Sequence, residues 1–328
     1  MDGKIALEEH FAVPETLGDS REHVRGGGWS ILERRLLDLQ HHRLSEMEQH
    51  GIGLAILSLN SPGIQAIPDP ARATAVARRA NDTLADAIAK RPDRLAGFAA
   101  LPMQDPEAAE AELTRAVVEL GFKGAFVNGF SQVGDAETVA YYDHPAYLPF
   151  WARVQELDVP FYLHPRDPLP SREPIYDGHP WFLGSAWAFG VETAMHALRL
   201  MGSGLFDRYP RLTIILGHLG EGLPYSVWRL DHRLSVLPRG IPAKRTMTEY
   251  LRTRFYLTTS GHFRTPSLID AMTEMGSERI LFSVDYPFEE TGDAATWFDE
   301  ASIPEADRLK IGKLNAAALL KLPGSASA

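Results

Sequence analysis

Eight short apolar runs recur along this chain, at residues 5–7, 54–59, 95–101, 124–127, 160–163, 213–216, 255–258 and 280–284. Most are near-continuous instead of alternating, the pattern of strands buried on both faces. Between them, apolar residues return at helical spacing over 31–51, 71–90, 106–120, 145–157, 192–206, 223–234, 266–275 and 303–320. In the first of these, Leu32, Leu36, Leu39 and Leu44 form one stripe that stops at Gly51. Several others open near a Pro, which suits the first helical turn. Strand and helix alternating eight times predict an α/β protein, a (β/α)8 TIM barrel. A doubly wound open sheet fits the strand count less well, and the chain lacks a Gly-x-Gly-x-x-Gly turn. No repeat, linker or low-complexity block divides residues 1–328, so they read as one domain. Three connections, near 12–29, 131–144 and 165–189, exceed ordinary loop length. In a barrel they are expected on the C-terminal face, as lids over a pocket.

Composition narrows the class. With 45% hydrophobic and 23% charged residues the chain reads as a soluble globular protein with ample core. A formal net charge of −10 argues against a nucleic-acid or anionic-membrane partner. No stretch approaches the ~20 apolar residues of a membrane helix. The opening Met-Asp-Gly-Lys-Ile lacks the basic and apolar regions of a secretory signal, so cytoplasm is the expected address. There is no cysteine, hence no disulfide and no thiolate ligand. Any metal must be held by His, Asp or Glu, which suits Zn, Mn or Fe.

Such residues stand where the strands should end. Glu8 and His10 follow the first run, His164 ends the fifth, His218 the sixth and Asp285 the eighth. The active site of a barrel lies at the C-terminal ends of its strands, so these residues are expected to converge. Glu8 and His10 should point the same way because the strand period is two. Two imidazoles and two carboxylates suit one divalent ion with an open position. Each residue alone has an ordinary reading: Glu8 beside Glu9 as a solvated strand end, Asp285 before Tyr286-Pro287 as a turn cap. Of the twelve histidines, His41, His42, His50 and His196 sit in helical patterns and carry no chemistry in this reading. The combination of four strands ending alike carries the inference. His218 is either a ligand or an acid–base group, and Glu221 could orient its second ring nitrogen. Arg229 could bind a substrate carboxylate, pair with Glu221, or be a helix-surface charge. Asn128 ends the fourth strand, where binuclear barrel hydrolases usually need a bridging lysine; Lys123 stands only at that strand's beginning. A single metal is therefore expected. Phe11, Trp181, Trp187, Phe189, Tyr286 and Phe288 suggest a pocket for a flat apolar ring.

These residues, with Gly3-Lys-Ile-Ala-Leu-Glu-Glu-His-Phe11, Phe98-Ala-Ala-Leu-Pro-Met-Gln-Asp-Pro106, Val159-Pro-Phe-Tyr-Leu-His-Pro165 and Ile215-Leu-Gly-His-Leu-Gly-Glu-Gly-Leu-Pro224, resemble the amidohydrolase superfamily. Within it the chain is most similar to the nonoxidative aromatic decarboxylases, the γ-resorcylate (2,6-dihydroxybenzoate) branch above all, over nearly its whole length. The resemblance implies one Mn or Zn ion held by Glu8, His10, His164 and Asp285. It implies decarboxylation of an ortho-hydroxyaryl acid, 2,6-dihydroxybenzoate giving resorcinol and CO2 reversibly. Direct loss of CO2 would leave an unstabilised sp2 carbanion, so protonation of the carboxyl-bearing carbon is expected to come first. Asp285 would donate that proton with a pKa raised in a dry pocket. His218 and Glu221 would tune it, Asn128 and Arg229 would position polar groups, and Phe189 and Phe288 would flank the ring. The resemblance implies a homo-oligomer, tetramer or dimer, since relatives form tetramers with lids packed on neighbours. His10 departs from the Ala expected in 2,3-dihydroxybenzoate and salicylate decarboxylases. His23 stands where Phe is expected, His262 where Asn is, Tyr286 where Trp is, and Phe288-Glu-Glu-Thr-Gly-Asp293 lacks the usual Asn-Ile-Asp-His character. Another hydroxybenzoate, such as 2,3-dihydroxybenzoate or salicylate, is the alternative substrate. A metal-dependent hydrolase of a lactone or cyclic amide is the alternative activity.

Overall fold

Each of the eight apolar runs becomes part of one closed, parallel ring of strands. The structure, a computed structural model, describes residues 1–23, 28–169, 171 and 174–322, with the side chains of Glu22 and His23 outside that description. β1 (Lys4–Phe11) pairs with β2 (Ile52–Leu59), and β2 with β3 (Leu95–Gly97). Phe98 interrupts the third run and donates its N–H to the Leu57 carbonyl, after which β4 (Ala99–Ala100) pairs with β5 (Ala125–Asn128). A small antiparallel ribbon follows, β6 (Ser131–Gln132) with β7 (Val139–Ala140). β8 (Phe161–His164), β9 (Ile214–Leu216), β10 (Phe255–Thr258) and β11 (Ile280–Leu281) continue the parallel series. A parallel bridge between Leu7 and Ser283 joins its two ends and closes the barrel.

Two apolar layers hold this ring. Ile5, Leu7, Ile56, Phe98, Phe126, Tyr162, Ile215 and Leu281 fill its interior, and their neighbours along each strand pack outward against the helices. On β8 the period of two sends Phe161 and Leu163 outward and Tyr162 inward, which leaves His164 at the inner rim.

The helices depart from the sequence reading at several places. The expected helix over 31–51 is two, α1 (Trp29–Leu37) and α2 (His42–Gln49). Asp38 breaks it, its carboxylate accepting the N–H groups of Gln40, His41 and His42. α3 (Pro70–Lys90) and α4 (Pro106–Val118) open on Asp69 and Asp105 caps with Pro at the first turn, as the sequence suggests. α5 (Leu148–Leu157) follows a short 3-10 turn, and the stretch 192–206 becomes α6 (Ala188–Gly202) and α7 (Leu205–Arg208). Gly204, at φ 80°, makes that break. α8 (Leu223–Val236) and α10 (Thr265–Met275) were expected, whereas α9 (Met247–Arg254) and α11 (Thr291–Glu300) were not. A capping box between Thr246 and Glu249 was the legible signal for α9. The last helix is α12 (Glu305–Leu309), a π-helical turn (Lys310–Leu314) and α13 (Asn315–Leu319). Among the described residues no helix is long and apolar enough to cross a membrane.

Candidate metal centre

β1 brings Glu8 and His10 to the barrel mouth, but not by plain alternation. Its register shifts between Ala6 and Glu9, and Glu8 takes φ 58°. This bulge turns Glu8 and His10 to one group and Glu9 elsewhere, its Oε1 accepting the Val284 N–H at 3.0 Å. His164 ends β8, His218 and Glu221 lie in the turn after β9, and Asp285 follows β11. His218, Glu221 and Asp285 also hold positive φ, at 49°, 55° and 81°. Such conformations cost on the order of 1–3 kcal/mol each in non-glycine residues and persist where the surroundings over-determine them. Gly217 is a glycine because of its neighbour: an added Cβ would lie 2.8 Å from Glu8 Oε2.

One ligand atom each from Glu8, His10, His164 and Asp285 lie within 4.8 Å of one another, three of the residues buried and Asp285 half-buried. His10 Nε2 is 3.1 Å from Asp285 Oδ1, and His164 Nε2 is 3.2 Å from Glu8 Oε1. His218 stands beside the group, its Nε2 3.5 Å from Glu8 Oε1 and 3.6 Å from Asp285 Oδ2, its Nδ1 2.7 Å from Glu221 Oε1. Glu8 Oε1 and His10 Nε2, both at this group, are buried with no hydrogen-bond partner. Buried polar atoms are normally paired, so unpaired carboxylate and imidazole atoms gathered at one point fit a divalent cation bound by N and O donors. The other oxygen of Glu8 accepts from the Tyr162 hydroxyl, and from Thr258 Oγ1 at 3.3 Å. Neither partner stood out in the sequence, although Tyr162 precedes His164 by two and so shares its face.

Burial raises Glu8 to about 8 despite the pull of His218, and raises Glu9 to about 8 despite its Val284 N–H bond. Burial also lowers His10 and takes His164 down to about 3, leaving both imidazoles neutral, as coordination requires. His218 differs. Burial pushes it down, but Glu221, Glu8 and Asp285 hold it well above the usual histidine value. Asp285 overturns the expectation of a raised pKa. Burial does push it up, yet His10 and His218 beside it outweigh that and hold it below the usual carboxylate range.

The sequence profile of the amidohydrolase family matches residues 57–322. The chain is 61% identical to γ-resorcylate decarboxylase from Rhizobium sp. (strain MTP-10005), over 99% of this chain and 100% of that protein. It is 62% identical to γ-resorcylate decarboxylase from Polaromonas sp. (strain JS666 / ATCC BAA-500), over 98% and 99% of the two chains. This chain belongs to the amidohydrolase family. Its structure resembles 2,6-dihydroxybenzoate decarboxylase complexed with 2,6-dihydroxybenzoate, with a TM-score of 0.97 at 61% identity, covering 98% of this chain and 100% of the other. It is also similar to the dihydroxybenzoic acid decarboxylase of Polaromonas sp. JS666 with bound manganese and the inhibitor 2-nitroresorcinol, with a TM-score of 0.96 at 61% identity and 98% coverage of both chains.

In this amidohydrolase His10, His164 and Asp285 open onto a cavity of about 350 Å3. Phe189 and Phe288 line it, the Phe288 ring edge-on to His10 at 5.4 Å. Stretches 12–29 and 165–189 contribute Gly28, Ser185 and Phe189, while 131–144 contributes no lining residue. Arg35 and Glu290 close the rim as a bidentate ion pair at 2.8 and 3.2 Å, and neither had been singled out. Other expected residues lie elsewhere. Asn128 is buried at its strand end but commits Nδ2 to the carbonyls of Asn60 and Pro62, and it does not line the cavity. Arg229 is exposed on α8 and makes no ion pair among the described residues. His262 lines a second cavity of about 310 Å3 on the far side of His218, its Nε2 3.2 Å from Ser267 Oγ. Tyr286 is buried against Arg43 and does not line the cavity. The His23 side chain lies outside the described residues.

Proposed function

We propose that this protein is a metal-dependent carboxy-lyase that decarboxylates an ortho-hydroxyaryl acid, 2,6-dihydroxybenzoate to resorcinol and CO2, reversibly. The observation that carries the reading is a filled four-residue ligand set beneath an aromatic-lined cavity, in a chain 61% identical end to end to γ-resorcylate decarboxylases. Glu8, His10, His164 and Asp285 would hold one Mn or Zn ion. When bound, the ion supplies positive charge that attracts the acid's carboxylate and ortho-phenolate oxygens. Phe189 and Phe288, which line the cavity, would flank the ring and keep water from it.

Asp285 is ionised at rest, so it must take up a proton before it can deliver one. His218, held protonated between Glu221 and Asp285, is the adjacent source, with 3.6 Å between Nε2 and Oδ2. Asp285 then passes the proton to the carboxyl-bearing carbon. The C–C bond breaks, its electron pair returns to the ring as aromaticity is restored, and CO2 leaves. General acid–base catalysis of this kind contributes roughly 10²–10⁴-fold.

Residues 1–328 would act as one barrel domain in the cytoplasm, with loops near 12–29 and 165–189 as lids. A homo-oligomer, tetramer or dimer, would cover the exposed Trp181, Trp187, Tyr225 and Trp228, at 58%, 62%, 85% and 72% exposure. Any contact of Arg229 with the acid belongs to such an assembly, because the side chain is exposed on its own chain.

The test is direct. Metal-loaded protein is incubated with 2,6-dihydroxybenzoate, 2,3-dihydroxybenzoate, salicylate and a lactone, with and without chelator. Resorcinol and CO2 are expected from the first acid, and only without chelator. Release of CO2 from none of the acids, alongside lactone opening, overturns the reading in favour of a hydrolase.

A further inference from the structure

We propose that Glu9 and Arg43 are positioning residues that hold the ends of β1 and β11 at the spacing the metal ligands need. This rests on the metal-centre reading above. Both side chains are buried, and neither lines the cavity. Glu9 lies between the ligands Glu8 and His10, yet its Oε1 accepts the N–H of Val284 at 3.0 Å and lies 3.4 Å from Ser283 Oγ. Val284 is the residue immediately before Asp285. Arg43 reaches in from α2: Nη2 donates to the His10 carbonyl, and Nε donates to the Asp38 carbonyl at 3.4 Å. Its guanidinium lies over Tyr286, the residue immediately after Asp285, 4.4 Å from the ring centre. The His10 N–H donates to the Tyr286 carbonyl at 2.6 Å. Both flanks of Asp285 are thus tied to β1, one through Glu9 and the other through His10 and Arg43.

Two facts argue that this network does more than fill space. Asp285 and Glu8 hold φ of 81° and 58°, which non-glycine residues keep only where several contacts enforce them. Arg43 is buried with no ion pair among the described residues, and Nη1 has no hydrogen-bond partner. A core needing only volume is better served there by an apolar side chain.

The test titrates chelator-treated full-length protein with Mn2+, reading the free ion by electron paramagnetic resonance. Arg43→Met is expected to bind Mn2+ roughly tenfold more weakly, within the range seen when partners of metal ligands are removed. Arg43→Lys keeps the cation but loses the planar fork, and an intermediate loss of about threefold or more is expected. Circular dichroism and melting of the metal-free variants report folding separately. A role in packing alone would lower the melting temperature and leave the affinity of the folded variants less than threefold changed, which overturns the proposal. If Arg43→Met does not fold, Arg43→Lys decides by the same criterion. The titration involves no aromatic acid. Failure to decarboxylate would therefore sink the proposed function and leave this inference standing, and unchanged Mn2+ affinity would do the reverse.

Discussion

Glu112 on α4 and Glu8 at the barrel mouth have side-chain exposures of 1% and 0%. Glu112 accepts from Asn81 Nδ2 and Arg115 Nη2 at 2.7 Å on one oxygen, and from Arg115 Nε at 2.9 Å and Arg78 Nη1 at 3.2 Å on the other. Glu8 has one oxygen without any hydrogen bond, positive φ, and a second carboxylate, Asp285, in the same ligand group. Burial alone therefore does not mark a functional carboxylate here. Glu112 is bound on all sides by cations and an amide, which ties α3 to α4. Glu8 keeps one oxygen without a hydrogen bond at the point where three other ligands meet.

The sharpest way to break this contrast is to disable the under-satisfied site. Asp285→Asn should lose resorcinol formation by about 10³-fold while far-UV circular dichroism stays unchanged. Normal turnover would remove Asp285 from the proton path. At the satisfied site the order should invert: Glu112→Ala leaves the buried Asn81 amide and the half-buried Arg115 without their acceptor and should cost about 3 kcal/mol in urea unfolding. The activity of folded Glu112→Ala should stay within twofold, and a parallel loss would dissolve the distinction.

Metal should separate the two carboxylates by a slightly smaller margin. Mn2+ at about 100 times its dissociation constant should stabilise the parent and Glu112→Gln alike, by about 2.7 kcal/mol. Glu8→Gln should gain much less at the same Mn2+ concentration.

The smallest effect is a pH slope. Glu8 and Glu9 rise in the folded chain from 4.5 to about 8, so their contribution to stability is complete below about 4.5 and is lost as pH rises through 8. His164 has the opposite sign, but its window lies between about 3 and 6.5 and is spent above that. Metal-free protein should therefore melt at falling temperature from pH 6.5 to 8.5. Mn2+ should flatten the slope, since a bound cation keeps Glu8 ionised. A metal-free melting temperature that rises over this range would contradict the assignment.

Much of the barrel was legible because strands buried on both faces leave continuous apolar runs, and each of the eight is found in the ring. Helix boundaries were less so. The stripe Leu32, Leu36, Leu39 and Leu44 spans two helices because Asp38 offers three backbone N–H groups a local acceptor that periodicity does not register. At the site, all four expected ligands come together, while Asn128 and Arg229 reach their strand end and helix without reaching the cavity. Tyr162, Thr258 and Arg43 passed as ordinary core or helix residues, since their importance lies in what they touch.

Residue order fixed where strands would end and which chemistry would stand there, since apolar periodicity and residue type are local properties. The tertiary structure decided how Glu8, Glu9 and His10 divide between the ligand group and its support, because the division depends on a bulge and on Val284, 275 residues from Glu9. It also decided the sign of the Asp285 shift. That balance sets burial against imidazoles brought close only by barrel closure, and no local pattern encodes it.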